Sequence, residues 1–348
     1  MMKTIELKTP SMTGEIYIGR GVIETQLPLL TAGVQCFVVT DSNVHSLYAD
    51  WFQRYFSGAE IFILPAGEES KNFQSLQSIL EKMAGAGMRR NARLFAVGGG
   101  VIGDIGGLAA ALYMRGIDYV QIPTTLLAQV DSGVGGKTAV DLGGVKNIVG
   151  AFYQPSKVLV DTAFLDTLPD REIKCGLGEI VKYAALNGEI FDLLESNESR
   201  LTDVAFLETL VTPCVEHKAQ VVALDEKDLG ERRSLNLGHT TGHAIELATG
   251  LSHGESVLYG MLLETKAAIQ AGVCDKEYGQ KLLAIIEHAI SENPVSRVDF
   301  SDFSKVAKNA LLDKKNTKDG MITMAVAKAK GEWTTLSLPF EEYVKMAF

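Results

Sequence analysis

The chain is poor in cysteine: four residues in 348 (Cys36, Cys175, Cys214, Cys274), with no CxxC pair among them. Neither a disulfide framework nor a thiolate zinc site is suggested. There is no basic excess either, since 33 Lys and Arg face 43 Asp and Glu, a formal net charge of −10. Nucleic-acid affinity needs a broad basic surface, so no nucleic-acid partner is expected. A small anionic ligand stays open, because a few clustered cations can outweigh a diffuse negative field locally. No apolar run approaches about 18 residues, so no membrane partner is expected. The opening MMKTIELKTPSM has no apolar signal core, and the expectation is a reduced, soluble, cytoplasmic protein.

With 46% hydrophobic and 22% charged residues, the composition is that of a globular chain with ample core. A prior of about 150 residues per domain favours two domains. Glycine is the outlier, 34 of 348, with many between Gly98 and Gly150.

The first half alternates short apolar runs with helical patterns. CFVVTD, AEIFILPAG, RLFAVGGG and DYVQIPT read as strands, with helices over SLYADWFQRYF and up to about Met83 between them. That alternation predicts βαβ crossovers and a mostly parallel sheet, with ligands at the carboxyl ends of strands. From Asp170 onward a 3.6-residue period dominates, as in YGQKLLAIIEHAI, and a short β segment returns at MITMAVAKA. We therefore expect a Rossmann-like α/β domain over residues 1–165 and an α-helical domain over residues 166–348.

GGGVIGD, Gly98 to Asp104, follows the strand LFAV and opens a helix, the setting in which backbone N–H groups cradle a phosphate. The competing reading is a tight turn that needs glycine for packing, and the GxGxxG spacing is not met. Next, GVGGKTAVDLGGVKN places Lys137, Lys146 and Asn147 in a glycine-rich loop near Asp131, suited to a phosphate or carboxylate. The P-loop pattern fails there, because Asp131 stands where its first Gly belongs.

The second half carries a metal-like set. Glu179 and Lys182, at i and i+3 in GLGEIVKYAAL, interrupt an apolar stretch in which an unpaired carboxylate would be costly. In LNLGHTTGHAIE, Asn236, His239 and His243 form one polar stripe on a helix, and His253 follows ten residues later. Three imidazoles and a carboxylate suit zinc with an open position. Spacing alone pairs His239 with His243 as ligands, while the missing Glu after the first His speaks against a metalloprotease. His45, His217 and His288 read as ordinary hydrogen-bonded groups. Lys218, Asp228, Arg232 and Arg233 lie just ahead of the His segment, Lys314 and Lys315 well after it. With Arg115, these cations suffice for a substrate bearing both phosphate and carboxylate.

GGGVIGDIGGLAAALYMRGI, QIPTTLLAQVDSGVGGKTAVD, KNIVGAFYQPSKVLVD, GEIVKYAAL, LNLGHTTGHAIE and HGESV, in this order, resemble the 3-dehydroquinate synthase family of sugar phosphate cyclases. The resemblance implies an NAD- and zinc-dependent lyase, with cobalt as a substitute metal. It would convert 3-deoxy-D-arabino-heptulosonate 7-phosphate to 3-dehydroquinate and phosphate by transient oxidation, phosphate elimination, re-reduction, ring opening and intramolecular aldol closure. That is a step of the shikimate route to aromatic amino acids, run by a homodimer.

By motif match, zinc falls on Glu179, His239 and His253, and His243 moves to the substrate site. NAD contacts fall on Asp41, Glu68, Lys71 and the run Gly100, Val101, Ile102, Gly103 and Asp104. Thr124, Thr125, Phe164 and Thr167 join them, as do Lys137 and Lys146, which the substrate shares. Substrate contacts fall further on Asp131, Asn147, Lys182, Lys218, Arg232, Asn236 and Lys314, with Asp228 abutting the substrate. Arg115 would reach in from a second subunit. Asp228 stands where the family pattern has Glu, GVKN replaces GKN, and HTTGH replaces HTFGH; nothing is transferred beyond Gly320. A sister cyclase such as 2-deoxy-scyllo-inosose synthase would share NAD and zinc but bind no substrate carboxylate, and the set Lys218, Arg232, Asn236 and His243 favours the carboxylated sugar.

Overall fold

A computed structural model describes residues 2–292 and 320–347. By contacts the chain divides into one unit of Met1–Leu168 with Lys218–Lys227, and a second of Pro169–His217 with Asp228–Phe348.

The first unit opens with an antiparallel pair, β1 (Lys3–Lys8) and β2 (Thr13–Ile18), followed by α1 (Val22–Thr31). Then come β3 (Cys36–Asp41), α2 (Ser42–Leu47), α3 (Ala49–Phe56), β4 (Glu60–Leu64), α4 (Phe73–Gly85), β5 (Arg93–Gly98), α5 (Gly100–Leu112) and β6 (Asp118–Pro123). The expected single helix over SLYADWFQRYF is thus two, broken at Tyr48. A separate hairpin, β7 (Lys137–Leu142) and β8 (Val145–Phe152), precedes β9 (Lys157–Val160). The seven-stranded sheet runs β1-β2-β9-β6-β5-β3-β4, parallel everywhere but at β1–β2.

Its central strands are buried on both faces, which is why they read as unbroken apolar runs. Leu94 and Ala96 face a core shared with α4 and α5, whereas Phe95 and Val97 face one shared with α1 and α3. The chain steps from β3 outward to β4 and then returns to lay β5 on the other side of β3. That reversal makes the carboxyl ends of β3 and β5 the switch point where such sheets bind ligands.

The Gly-rich segment after Asp131 is a hairpin rather than the expected loop. Gly143 and Gly144 both have positive φ, 62° and 79°, and join Leu142 to Val145 as a two-residue turn of the primed type.

The second unit holds α6 (Asp170–Leu186), α7 (Gly188–Glu195), the first part of α8 (Val204–Leu224), α9 (His239–Thr249), α10 (His253–Gln270) and α11 (Lys276–Ser291). It ends in an antiparallel hairpin, β10 (Met321–Ala329) and β11 (Glu332–Pro339), and a C-terminal helix, Phe340–Ala347. The β segment expected at residues 321–329 is β10; its partner β11 was not anticipated. No helix among the described residues is long and apolar enough to cross a membrane.

Candidate active site and metal centre

In the second unit three helices deliver one side chain each to a common point. Glu179 lies on α6, and His239 and His253 are the first residues of α9 and α10. One ligand atom from each lies within 4.8 Å of the others. His253 Nε2 is 3.2 Å and His239 Nε2 3.5 Å from Glu179 Oε1, and Glu179 is 1% exposed.

A glycine precedes or follows each of these residues, and two of the contacts they make explain why. A Cβ on Gly254 would stand 1.8 Å from the Cys175 carbonyl oxygen, and one on Gly178 would stand 2.2 Å from the Gly254 carbonyl oxygen. So α6 and α10 touch backbone to backbone at Glu179 and His253. Gly238, just before His239, has φ 77° and no room for a Cβ, which would meet Met261 Cγ at 2.3 Å.

The outer nitrogens of both rings are held. His239 Nδ1 lies 3.0 Å from the Leu237 carbonyl, and His253 Nδ1 lies 3.2 Å from Glu246 Oε2. Partners at Nδ1 turn each Nε2 toward Glu179, the arrangement typical of metal-binding imidazoles. Burial keeps His239 well below its ordinary pKa. Burial would lower His253 too, but its hydrogen bonds to Glu179 and Glu246 outweigh that and raise it to about 9. A divalent cation among these atoms would take the place of the proton that His253 shares with Glu179. Two nitrogens and a carboxylate oxygen, with no thiolate, fit zinc or cobalt.

The spacing-only pairing of His239 with His243 is corrected by this geometry. The His243 ring lies 5.4 Å from that of His239 and 5.9 Å from that of His253, beside the convergent atoms but outside the triad. Residues at i and i+4 share a helix face, whereas the two partners of His239, Glu179 and His253, come from other helices. The expected stripe of Asn236 with these His is also corrected: α9 begins at His239, and Asn236 ends a 3₁₀ turn, Glu231–Asn236. Arg232, on that turn, is 1% exposed. Lys182, equally buried, forms an ion pair with Glu179, so the carboxylate that interrupts the apolar face of α6 has its counter-charge one turn on. Asp228 adopts φ 61°, a left-handed conformation that Asp tolerates better than Glu. Lys314 lies outside the described residues.

In the first unit most of the expected residues gather at the carboxyl edge of the sheet, whereas Arg115, in the turn between α5 and β6, lies at the opposite, amino end. Asp41, last in β3, caps α2 by accepting from the Asn43 and Val44 N–H groups at 2.9 and 3.0 Å. On the neighbouring strand, β5 runs into the turn that starts α5, so Gly100, Val101, Ile102, Gly103 and Asp104 form the helix's opening turn. Lys71 is buried with its Nζ 2.5 Å from Asp104 Oδ2 and 4.0 Å from Glu68 Oε1. Burial would lower its pKa, but Asp104 and Glu68 raise it instead. Lys146, on β8, lies 3.9 Å from the same Glu68 oxygen. Asn147, at φ 54°, donates its backbone N–H to Asp141 Oδ1 at 2.8 Å.

Thr124 closes on the glycine turn by donating its N–H to the Gly98 carbonyl at 3.0 Å, and Thr125 Oγ1 accepts from Ala128. Lys218 Nζ reaches both the Asp131 carboxylate, at 3.0 Å, and its carbonyl, at 2.6 Å. Lys137 opens β7 with an exposed side chain. Phe164 is buried edge-on to Tyr48, whose hydroxyl is 2.5 Å from Thr167 Oγ1. Arg115 and Met114 both have positive φ, 65° and 49°, in the turn after α5.

Three residues around this cluster escaped the sequence reading: Glu246, which contacts His253, and Glu264 and Tyr343, which contact the start of α9. Glu246 had a signal, standing three residues after His243 on the same helix. The other two have none, because only the packing of distant segments brings them near.

Residues 61–175 match the family model described as 3-dehydroquinate synthase N-terminal, and residues 176–316 match its C-terminal counterpart. The 3-dehydroquinate synthase of Alkaliphilus metalliredigens is 41% identical over 337 residues, 94% of this chain and 93% of the relative. The chain belongs to the 3-dehydroquinate synthase family. A further 3-dehydroquinate synthase, from Caldanaerobacter subterraneus subsp. tengcongensis, is 42% identical over 322 residues, 89% of each chain.

Among solved structures, a 2-deoxy-scyllo-inosose synthase complexed with carbaglucose-6-phosphate, NAD+ and Co2+ has a TM-score of 0.87 at 25% identity, covering 99% of both chains. The 2-epi-5-epi-valiolone synthase from Streptomyces hygroscopicus subsp. jinggangensis 5008, with NAD+ and Zn2+ bound, has a TM-score of 0.84 at 28% identity, covering 96% of both. The 3-dehydroquinate synthases are thus nearer in sequence than these sister cyclases. An iron-containing alcohol dehydrogenase shares the fold, with a TM-score of 0.68 at 13% identity.

Proposed function

We propose that this chain is a 3-dehydroquinate synthase, converting 3-deoxy-D-arabino-heptulosonate 7-phosphate to 3-dehydroquinate and phosphate with NAD+ and zinc, in the shikimate route. The observation that carries the reading is the buried Glu179–His239–His253 convergence in a chain about 41% identical, over nearly its whole length, to enzymes of that name. When bound, the zinc ion polarises a substrate hydroxyl while the nicotinamide takes up a hydride and later returns it, so the net change is not redox.

The chain's own residues divide the remaining work. Glu179, His239 and His253 would hold zinc, or cobalt in its stead. Asp41, Glu68, Lys71, the Gly100–Asp104 turn, Thr124, Thr125, Phe164 and Thr167 would hold NAD, a placement supported by the switch point between β3 and β5. Lys146 and Asn147 would hold the phosphate while the neighbouring carbon gives up its proton to a phosphate oxygen, with Lys137 beside them. Asp131, Lys182, Lys218, Asp228, Arg232, Asn236, His243 and Lys314 would orient the sugar and its carboxylate, and orientation through several steps supplies much of the rate.

Arg115 would act from a second copy in a cytoplasmic homodimer. In support, Leu112 at the end of α5, Met114 just after it, and Leu142, Val145, Ile148 and Phe152 on the hairpin that packs against α5, are all exposed. Such apolar surface favours a protein partner.

Phosphate release is the test. The zinc-loaded protein with NAD+ should turn over the heptulosonate phosphate and neither glucose 6-phosphate nor sedoheptulose 7-phosphate. Preference for either of those would make the chain a sister cyclase.

A further inference from the structure

The first turn of α9 carries His239, yet that helix has no cap of its own. Its N-cap is Gly238, and the left-handed φ and the contacts with Met261 and the Val257 carbonyl leave no space for a capping side chain there. The four leading N–H groups of a helix need acceptors, and two of these find theirs 23 and 26 residues away. Glu264, on α10 and 1% exposed, accepts from Gly238 N through Oε2 and from Thr241 N through Oε1, both at 2.8 Å. One carboxylate thus clamps the backbone on either side of His239. It does so from the same helix that begins with His253.

We propose that Glu264 is a positioning residue for the metal: it fixes the His239 main chain relative to α10, and so sets the distance between the two imidazoles. The tail of the chain backs this clamp. Tyr343, fully buried on the C-terminal helix, has its hydroxyl 2.5 Å from Thr241 Oγ1, and Thr240 Oγ1 donates to the Thr323 carbonyl of β10 at 3.3 Å. The ring of His239 is then oriented by the Leu237 carbonyl, on the residue immediately before the clamped one. Displacing the clamp tilts the helix start and swings Nε2 away from Glu179. A buried carboxylate at the helix N-terminus is also the charge that end of the dipole favours.

This inference rests on the metal reading above, and the experiment separates the two. Co2+ is titrated into the full-length metal-free protein, wild type and Glu264→Gln, with affinity read by chelator competition and ligand geometry by the visible spectrum. Glu264→Gln keeps the volume but points an NH₂ at one of the two N–H donors. The expected result is a loss of Co2+ affinity of about tenfold to a hundredfold, the range for residues that support metal ligands, together with an altered spectrum. Glu264→Asp should recover part of both.

A merely structural tie would lower the melting temperature and leave the affinity and spectrum of the folded protein unchanged, which would overturn the proposal. If the wild type itself takes up no Co2+, the metal reading falls and this inference with it. Should Glu264→Gln fail to fold, Glu264→Asp and wild-type amide exchange decide. Slow exchange at Gly238 and Thr241, with Co2+ binding weakened in Glu264→Asp, supports the clamp; fast exchange at either amide contradicts it.

Discussion

The two units build their sites in opposite ways. In the first, several of the expected groups stand at strand ends and on a hairpin where Lys146 is 46% exposed, while Lys71, Ile102 and Phe164 are buried. In the second, Glu179, Lys182 and Arg232 are each 1% exposed, and the helices carrying Glu179, His239 and His253 meet through glycine. Function and packing are separable on the exposed hairpin of the first unit and the same atoms in the second. Substitutions should therefore sort by place: in the second unit they damage fold and chemistry together, on the exposed hairpin of the first chemistry alone.

The sharpest way to break this contrast is Gly254→Ala. The new Cβ has backbone, not a flexible side chain, 1.8 Å away, so α6 and α10 must separate. Destabilisation should exceed about 3 kcal/mol by chemical denaturation, and metal analysis should find no retained zinc. Normal stability with full zinc would mean that the helices are not held at that contact.

Lys182→Met comes next. It leaves the buried Glu179 carboxylate with the His253 imidazolium but without its Lys182 counter-charge, which should cost the metal-free protein up to about 3–5 kcal/mol. Zinc replaces the missing positive charge, so the loss should shrink on zinc loading. Equal losses with and without zinc would place the metal away from Glu179.

Lys146→Ala should raise KM for the sugar phosphate while the NAD+ titration and melting temperature stay close to wild type. A large fall in melting temperature would blur the distinction between the units.

The smallest effect is expected for Asp228→Glu. The side chain regains the length of the Glu that the family resemblance implies there, but the left-handed φ of 61° disfavours it, at a cost of about 1 kcal/mol in stability with turnover retained. A collapse in turnover would mean that the site is built around the shorter carboxylate.

Legibility in the sequence follows the same division. The buried parallel strands were plain, because a run such as CFVVTD has no polar face to confuse it with a helix. The β7–β8 hairpin was not, because Gly143 and Gly144 read as flexible loop rather than as a two-residue turn. In β8 the exposed face carries Ile148 and Phe152, so no polar alternation marks it. At the metal centre, spacing could suggest only partners on one helix, hence His239 with His243. The true convergence joins residues 60 and 14 positions apart through helix contacts that no local pattern encodes, and it was reached through family resemblance. Glu264 and Tyr343 were beyond either route.

The most direct test follows one turnover of 3-deoxy-D-arabino-heptulosonate 7-phosphate by the zinc-loaded protein with NAD+, measuring phosphate, 3-dehydroquinate and reduced nicotinamide together. The account predicts equal phosphate and 3-dehydroquinate, with no reduced nicotinamide remaining at the end. Reduced nicotinamide accumulating in step with substrate loss, without phosphate release, would make the chain a dehydrogenase on the same fold and contradict it.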